Sequence, residues 1–191
     1  AMDAVSNNNQ TGTIAIGSDA LGALTSGGEN MAIGYKAMED MTTGAANIAI
    51  GYETMKDLNH ADADANIALG NGVLGTAAAI GLHSCVGIGH NALDAVNNAN
   101  ALGTIGIGRD ALGALTSGER NLAIGYQALD ALTVGDDNIA IGYQALTNLG
   151  TSTFANRNIA IGTYALLSAA NNNINDNVAI GYGALSQSVH S

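Results

Sequence analysis

The residues with the strongest chemistry in this 191-residue chain stand in one short segment, His83-Ser84-Cys85, followed by His90. Two imidazoles and a thiol this close could hold a zinc ion, especially if several chains brought copies together. A thiol beside a base could also serve as a nucleophile. The other histidines, His60 and His190, lie far along the chain, and no Ser, Thr or Cys stands beside a histidine–acid pair. Isolated loop histidines are therefore expected. The acidic stretches "HADADAN" (60–66) and "GDDN" (135–138) suggest calcium, but neither has the full spacing of a calcium loop, and solvated turns are expected. Gly70-Asn71-Gly72-Val73-Leu74-Gly75 matches the dinucleotide signature GxGxxG. That signature needs one such turn, a full helix after it and an acid about 20 residues on. Here its relatives recur at 87–89 and 106–108, with Ala92 and Ala111, wherever a repeat carries an extra Gly. No catalytic residue, metal or cofactor is expected, and the chain does not read as an enzyme.

The recurrence is the informative part. Gly follows an aliphatic–small–aliphatic triplet at Gly17, Gly34, Gly51, Gly70, Gly89, Gly108, Gly125, Gly142, Gly162 and Gly181. Successive gaps are 17, 17, 19, 19, 19, 17, 17, 20 and 19 residues. "DALGALTSG" at 19–27 returns unchanged at 110–118. After a lead-in at 1–12, where Ala1-Met2 reads as a cloning remnant, a five-rung block at 13–103 is followed by its tandem duplicate at 104–191. Regular spacing of this kind marks a solenoid, in which each unit buries its apolar face only against its neighbours.

Each rung has three parts. A stretch such as Asn138-Ile139-Ala140-Ile141, closed by Gly142, reads as a short strand. Next comes Ala-Leu-x-x-Leu, as in Ala128, Leu129 and Leu132. Offsets of one and four share a helical arc, so the spacing predicts a short helical turn, with a second strand as the alternative. Polar returns such as "TSGGEN" (25–30) and "NNNINDN" (171–177) close the rung. The expected fold is a parallel β-solenoid of ten rungs, each 17–20 residues long.

The middle slot of the triplet holds Ala15, Ala32, Ala49, Ala68, Gly87, Gly106, Ala123, Ala140, Ala160 and Ala179. Neighbouring side chains on a strand point to opposite faces, and a wet face should carry polar residues. None appears, so both faces must be covered, one of them at close range. The helical turn can cover one. Further copies of the chain about a common axis are the expected cover for the other, with a coil thin enough to clamp the alanines itself as the competing account.

Asn precedes the triplet at Asn30, Asn47, Asn66, Asn121, Asn138, Asn158 and Asn177. Stacked one per layer, these amides would form a structural hydrogen-bonded ladder. Cys85 takes the same slot and reads as a buried structural thiol. Tyr35, Tyr52, Tyr126, Tyr143 and Tyr182 follow the rung Gly directly. In register they would make aromatic stripes, suited either to stacking against a receptor polysaccharide or to packing over the rung corner with hydroxyls in water.

Composition fits a thin, repetitive core. Hydrophobic residues reach 47% but aromatics only 4%, with no Trp and a single Phe, Phe154. Ile, Leu, Ala and Met must therefore fill the interior. Proline is absent and Gly, at 26 residues, does the turning. The net charge of −11, with five Lys and Arg, argues against nucleic acid and anionic membrane surfaces. No apolar run is long enough to span a bilayer, and no signal peptide is evident. One cysteine excludes an internal disulfide.

The phrase at 121–129 and 138–146, with spacers such as "TSG" (116–118), resembles repeats of phage tail-fibre proteins. More distantly, the "AIG" steps look like the parallel β-rolls in head domains of trimeric autotransporter adhesins, whose repeats are shorter. The likeness covers residues 13–185 and carries over scaffold positions only. It implies a homotrimeric fibre segment on a virion or bacterial surface, exposed outside the cell and concerned with reach and host attachment, with a host polysaccharide or protein as possible receptor. Two other classes compete. A trimeric acyltransferase of the hexapeptide-repeat type fits "IGYQAL", but the gaps of 17, 19 and 20 break its six-residue register. An ice-binding solenoid needs Thr in one repeating position, and no rung position supplies it.

Overall fold

A computed structural model describes residues 10–58, 63–76, 82–96, 101–147, 155–167 and 174–186. Residues 1–9 of the lead-in, His60, Phe154 and His190 lie outside the described residues. The chain is a parallel β-solenoid. Its strands are β1 (Ile14–Ile16), β2 (Met31–Ile33), β3 (Ile48–Ile50), β4 (Ile67–Leu69), β5 (Val86–Ile88), β6 (Ile105–Ile107), β7 (Leu122–Ile124), β8 (Ile139–Ile141), β9 (Ala155–Asn156), β10 (Ile159–Ile161), β11 (Ile174–Asn175) and β12 (Val178–Ile180). Ten of them stack in chain order as one sheet, β1 through β8, then β10 and β12, while β9 and β11 pair separately. Every neighbour is parallel, and the central residues align one on the next: Ala123 pairs with Ala140, and Ala140 with Ala160. Ten strands at about 4.8 Å apiece give a stack roughly 45 Å long.

Among the described residues no helical turn follows the strand. The Ala-Leu-x-x-Leu segment runs as successive tight turns. In one rung Ala128 N–H donates to Gly125 O (3.3 Å) and Leu132 N–H to Leu129 O (3.1 Å). Between them Gln127 N–H reaches down to Arg109 O (2.9 Å) and Leu129 N–H reaches up to Ala145 O (3.0 Å). A helix would have kept those amides within the rung. Gln127 and Leu129 sit at φ 53° and 54°, and a left-handed residue at the third turn position is the type II arrangement. The pattern is general: among the described residues, every non-glycine with positive φ falls in one of three columns. These are two and four residues after the rung Gly, as in Gln127 and Leu129, and the residue before the asparagine slot, as in Arg120. Holding Leu left-handed costs about 1–2 kcal/mol. The turn swings it inward, and burying it stabilises by about 1.5–3 kcal/mol. Leu74, Leu93, Leu112 and Leu129 are all fully buried.

The core is this inward leucine column packed against the small middle residues of the strands. Ala32, Ala49, Ala68, Ala123, Ala140 and Ala160 are fully buried, Ala179 is 2% exposed, and Ala15 on the first rung is half-buried. The expected cover is thereby reassigned. The alanines are clamped from inside by their own coil, as in the competing account, with no second chain. The reason is the same set of left-handed turns, which fold Leu129 and Leu132 back under the strand more tightly than a helix of normal diameter could. The face left without cover is the other one, carrying the isoleucines.

Candidate functional site

Strand alternation sends the two flanking aliphatics of each triplet outward once the alanine points in. All ten triplets obey, from Ile14 and Ile16 through Ile139 and Ile141 to Val178 and Ile180. In most rungs these residues are half-buried by their neighbours above and below. At the two ends, where one neighbour is missing, Ile16 is 57% and Ile180 66% exposed. The result is a continuous ridge of apolar side chains along one side of the rod, branched aliphatics apart from Met31 and uninterrupted by any polar residue. A half-exposed sheet face normally alternates to polar residues at the water side.

The tyrosines lie just beyond the rung Gly, at the edge of that ridge. Tyr35 stacks on Tyr52 with centroids 5.2 Å apart, and Tyr126 on Tyr143 at 5.4 Å. Tyr164 continues the second column edge-on, 5.3 Å from Tyr143 and 6.0 Å from Tyr182. Inspection of Gly-Tyr pairs misses Tyr164 because Thr163 intervenes after Gly162. Stacking along the rod turns the ring faces toward each other, and cations approach the lower ends: Lys36 Nζ lies 5.6 Å from the Tyr35 centroid and the Arg109 guanidinium 5.8 Å from that of Tyr126. Tyr35, Tyr52, Tyr126 and Tyr143 are each more than a third exposed. Tyr182 on the last rung is the most open, at 81% exposure.

Inside the opposite corner, the asparagines bond from rung to rung. Asn138 Nδ2 donates to Asn121 Oδ1 (2.9 Å) and to Ala155 O (2.7 Å), and its own Oδ1 accepts from the backbone N–H and Nδ2 of Asn158 (3.1 and 2.9 Å). Asn30, Asn47 and Asn66 repeat the scheme, and Asn177 ends it on Asn158. Thr104 fills the slot in the sixth rung through its hydroxyl to Gly118 O (3.2 Å). Thr13 fills it in the first, where its buried hydroxyl finds no partner. Cys85 is buried, its backbone N–H on Asn66 Oδ1 (3.0 Å) and its thiol on the Ala101 carbonyl. Burial pushes that thiol up to about 11, so at neutral pH it is not a nucleophile.

A second ladder runs two residues earlier, in the opposite sense. Asp64 Oδ1 accepts Ala45 N–H (2.7 Å), Asp136 Oδ1 accepts Glu119 N–H (2.8 Å), and Asn156 Oδ1 accepts Asp136 N–H (2.9 Å). Asn175 Oδ1 takes both nitrogens of Asn156. The signal was present as Asx-x-Asn at 64–66, 136–138, 156–158 and 175–177. Of the carboxylates that had suggested calcium, Asp64 and Asp136 are thus occupied by backbone amides, while Asp62 lies outside the described residues. Asp137, next to them, pairs with Arg120 (2.7 Å), and Arg157 with Asp176 (2.6 Å), which holds both carboxyls below their usual range. Both pairs are solvent-exposed and add little stability.

Among the described residues no three of His, Cys, Asp and Glu gather as metal ligands. His83 is half-buried and His90 exposed, on different corners of one rung. Gly70 closes β4 and Gly72 is a left-handed turn residue, and the described residues that follow, 73–76, are turn rather than helix. A shallow groove of about 470 Å³ lies between Gln127, Asp130, Ala131, Gln144, Thr147 and Leu167. Within it, burial and the nearby Asp110 raise the Asp130 carboxyl above its usual range. A raised carboxyl costs stability once it ionises, so Asp130→Asn is expected to raise the melting temperature at pH 7. The gain should vanish as pH falls below about 3.9, where folded and unfolded carboxyls are both protonated. Thermal melts of the two proteins from pH 2.5 to 7 check this, and a pH-independent difference would refute it.

No family model, no curated protein and no solved structure matches the chain. Function has to be argued from the surface itself.

Proposed function

We propose that the chain is a non-enzymatic structural and adhesive segment of a homotrimeric surface fibre, most simply a phage tail fibre or a bacterial surface fibre, which holds a host-attachment surface away from the particle. The observation that carries this reading is the aliphatic ridge. Ten rungs place two large apolar side chains each on the outer side of the sheet, all of them branched aliphatics except Met31, and at its ends Ile16, Val178 and Ile180 are more than half exposed. Apolar surface of that extent is a mark of association. Its straight, one-sided form suits identical rods packed side by side, each presenting the same face to a common axis. The likeness to tail-fibre repeats favours three copies over two. The acidic exterior keeps such a rod soluble, and the exposed tyrosine columns are the part of it that a host polysaccharide would meet.

Light scattering on the purified protein is expected to return three times the 19.0 kDa chain mass. Ile124→Glu with Ile141→Glu, both on the outer face and both away from the core, should reduce that to one chain while the circular dichroism spectrum is kept. A wild-type protein that stays a single subunit at 100-fold varied concentration would remove the reading.

A further inference from the structure

Two columns of exposed side chains border the aliphatic ridge. One stands two residues before the strand, as in Glu29, Ala46, Arg120 and Asp137, and the other two residues after it, as in Tyr35, Tyr52, Tyr126 and Tyr143. We infer that copies of the chain meet along these columns, the leading column of one copy against the trailing column of the next, rung for rung. This rests on the lateral association proposed above and gives it a geometry.

Size brings the columns into the contact. A strand of three residues is about 10 Å wide and the stack roughly 45 Å long, so the ridge alone offers about 450 Å². A specific interface takes about 800 Å² from each partner, so the bordering columns must take part. Symmetry then decides which residues face each other. Parallel rods closed about a common axis are related by rotation alone, with no shift along the axis. Equal rungs therefore lie at equal height, and a residue in the leading column meets the one six positions later in the neighbouring copy.

The side chains brought together suit one another. Asp137 comes against Tyr143 and Glu29 against Tyr35, in each case a carboxylate facing a phenol that can donate to it. Arg120 comes against Tyr126, a guanidinium beside an aromatic ring, and Ala46 against Tyr52, a small side chain beside a large one. Arg120 is already held by Asp137 of its own chain (2.7 Å), and a carboxylate has acceptor sites to spare for the phenol. In no rung do like charges meet, so a chain of net charge −11 closes without setting acid against acid across the seam. These four rungs lie in 10–58 and 101–147, which are described without a break. Each pairing is internal to its rung and holds for an array of any length. The tyrosines assigned to the host-facing surface then stand along the seam beside residues of the neighbouring copy, and that surface is incomplete in a single chain.

Cysteine cross-linking of the whole chain tests this. A disulfide needs Cα atoms about 4.4–6.8 Å apart. Ala46 and Tyr52 of one chain are held apart by the strand between them and cannot bridge, and Cys85 is buried. Ala46→Cys with Tyr52→Cys is expected to give covalent trimers on oxidation, which reduction returns to single chains. At least tenfold more chain should be captured than in the control Ala46→Cys with Tyr126→Cys, whose thiols stand four rungs out of register. Asp137→Cys with Tyr143→Cys repeats the test in the second block. Neither Ala46→Cys nor Tyr52→Cys alone should cross-link. Dimers from either single variant would mean that like columns meet across a two-fold axis, and would overturn the inference. Wild-type chains that scatter as a trimer, while neither pair cross-links above the control, would overturn it too and leave the trimer standing. Wild-type chains that remain single subunits would remove both.

Discussion

Replacing Gly142 with alanine is expected to lower stability by about 3–5 kcal/mol. Two causes combine. Gly142 sits at φ 135°, a region essentially closed to residues with a Cβ, and the new methyl would lie 2.6 Å from the Gly162 carbonyl carbon and 3.0 Å from Thr163 N. Those atoms are backbone, locked into the next rung by Gly162 N–H to Ile141 O (2.7 Å), and cannot step aside. Gly181→Ala separates the two causes. It has a similar backbone, φ 122°, but among the described residues nothing lies within 4 Å of the added methyl, so the conformational cost of about 1–3 kcal/mol dominates. Chemical denaturation of the two variants checks this. Equal losses would mean that strain alone, not rung-to-rung contact, demands glycine in this column.

Asn138→Ala is expected to cost about 3–5 kcal/mol by the loss of the four hydrogen bonds its buried side chain makes. Truncation leaves the Ala155 carbonyl and the backbone N–H and Nδ2 of Asn158 without the partners they have in the ladder, all in a fully buried corner. Asn177→Ala is the internal comparison. Asn177 is half-buried and donates to Asn158 Oδ1 (3.0 Å) and Asn175 O (3.0 Å). Water can replace those bonds, and a loss near 1 kcal/mol is expected there. A denaturant midpoint for Asn138→Ala no lower than that for Asn177→Ala would show that the ladder is incidental to stability.

The repeat, its ten strands and their parallel stacking were legible because glycine spacing and triplet pattern recur with little noise. The turn segment was not. Ala128, Leu129 and Leu132 share one helical arc, but the same offsets also come from consecutive turns whose third residues are left-handed. Such positions usually announce themselves with Gly or Asn. Here most rungs write Asp19, Lys36, Glu53, Gln127 or Gln144 instead, and only Gly72, Asn91 and Gly183 carry the usual signature. Which face needed cover was misjudged for a related reason. A polar-free middle slot proves that the alanines are enclosed, yet it does not say by what, and the tight turns enclose them without help. The isoleucines flanking them point the other way and form the outer ridge. The amide column could be seen in the sequence, whereas its companion, anchored by Asp64, Asp136, Asn156 and Asn175, was hidden among residues that looked like ordinary loop polarity.

The absence of proline follows from the same architecture, since backbone amides on strand and turn alike serve the rungs above and below. Those bonds also run along the rod. A pull applied at its two ends therefore loads them one rung at a time, as in unzipping, rather than many at once, as in shear. Each rung that yields releases its 17–20 residues as extended chain, about 3.5 Å per residue, or some 60–70 Å. A tether built this way lengthens in steps under tension and takes up a jolt before its anchorage feels the full force.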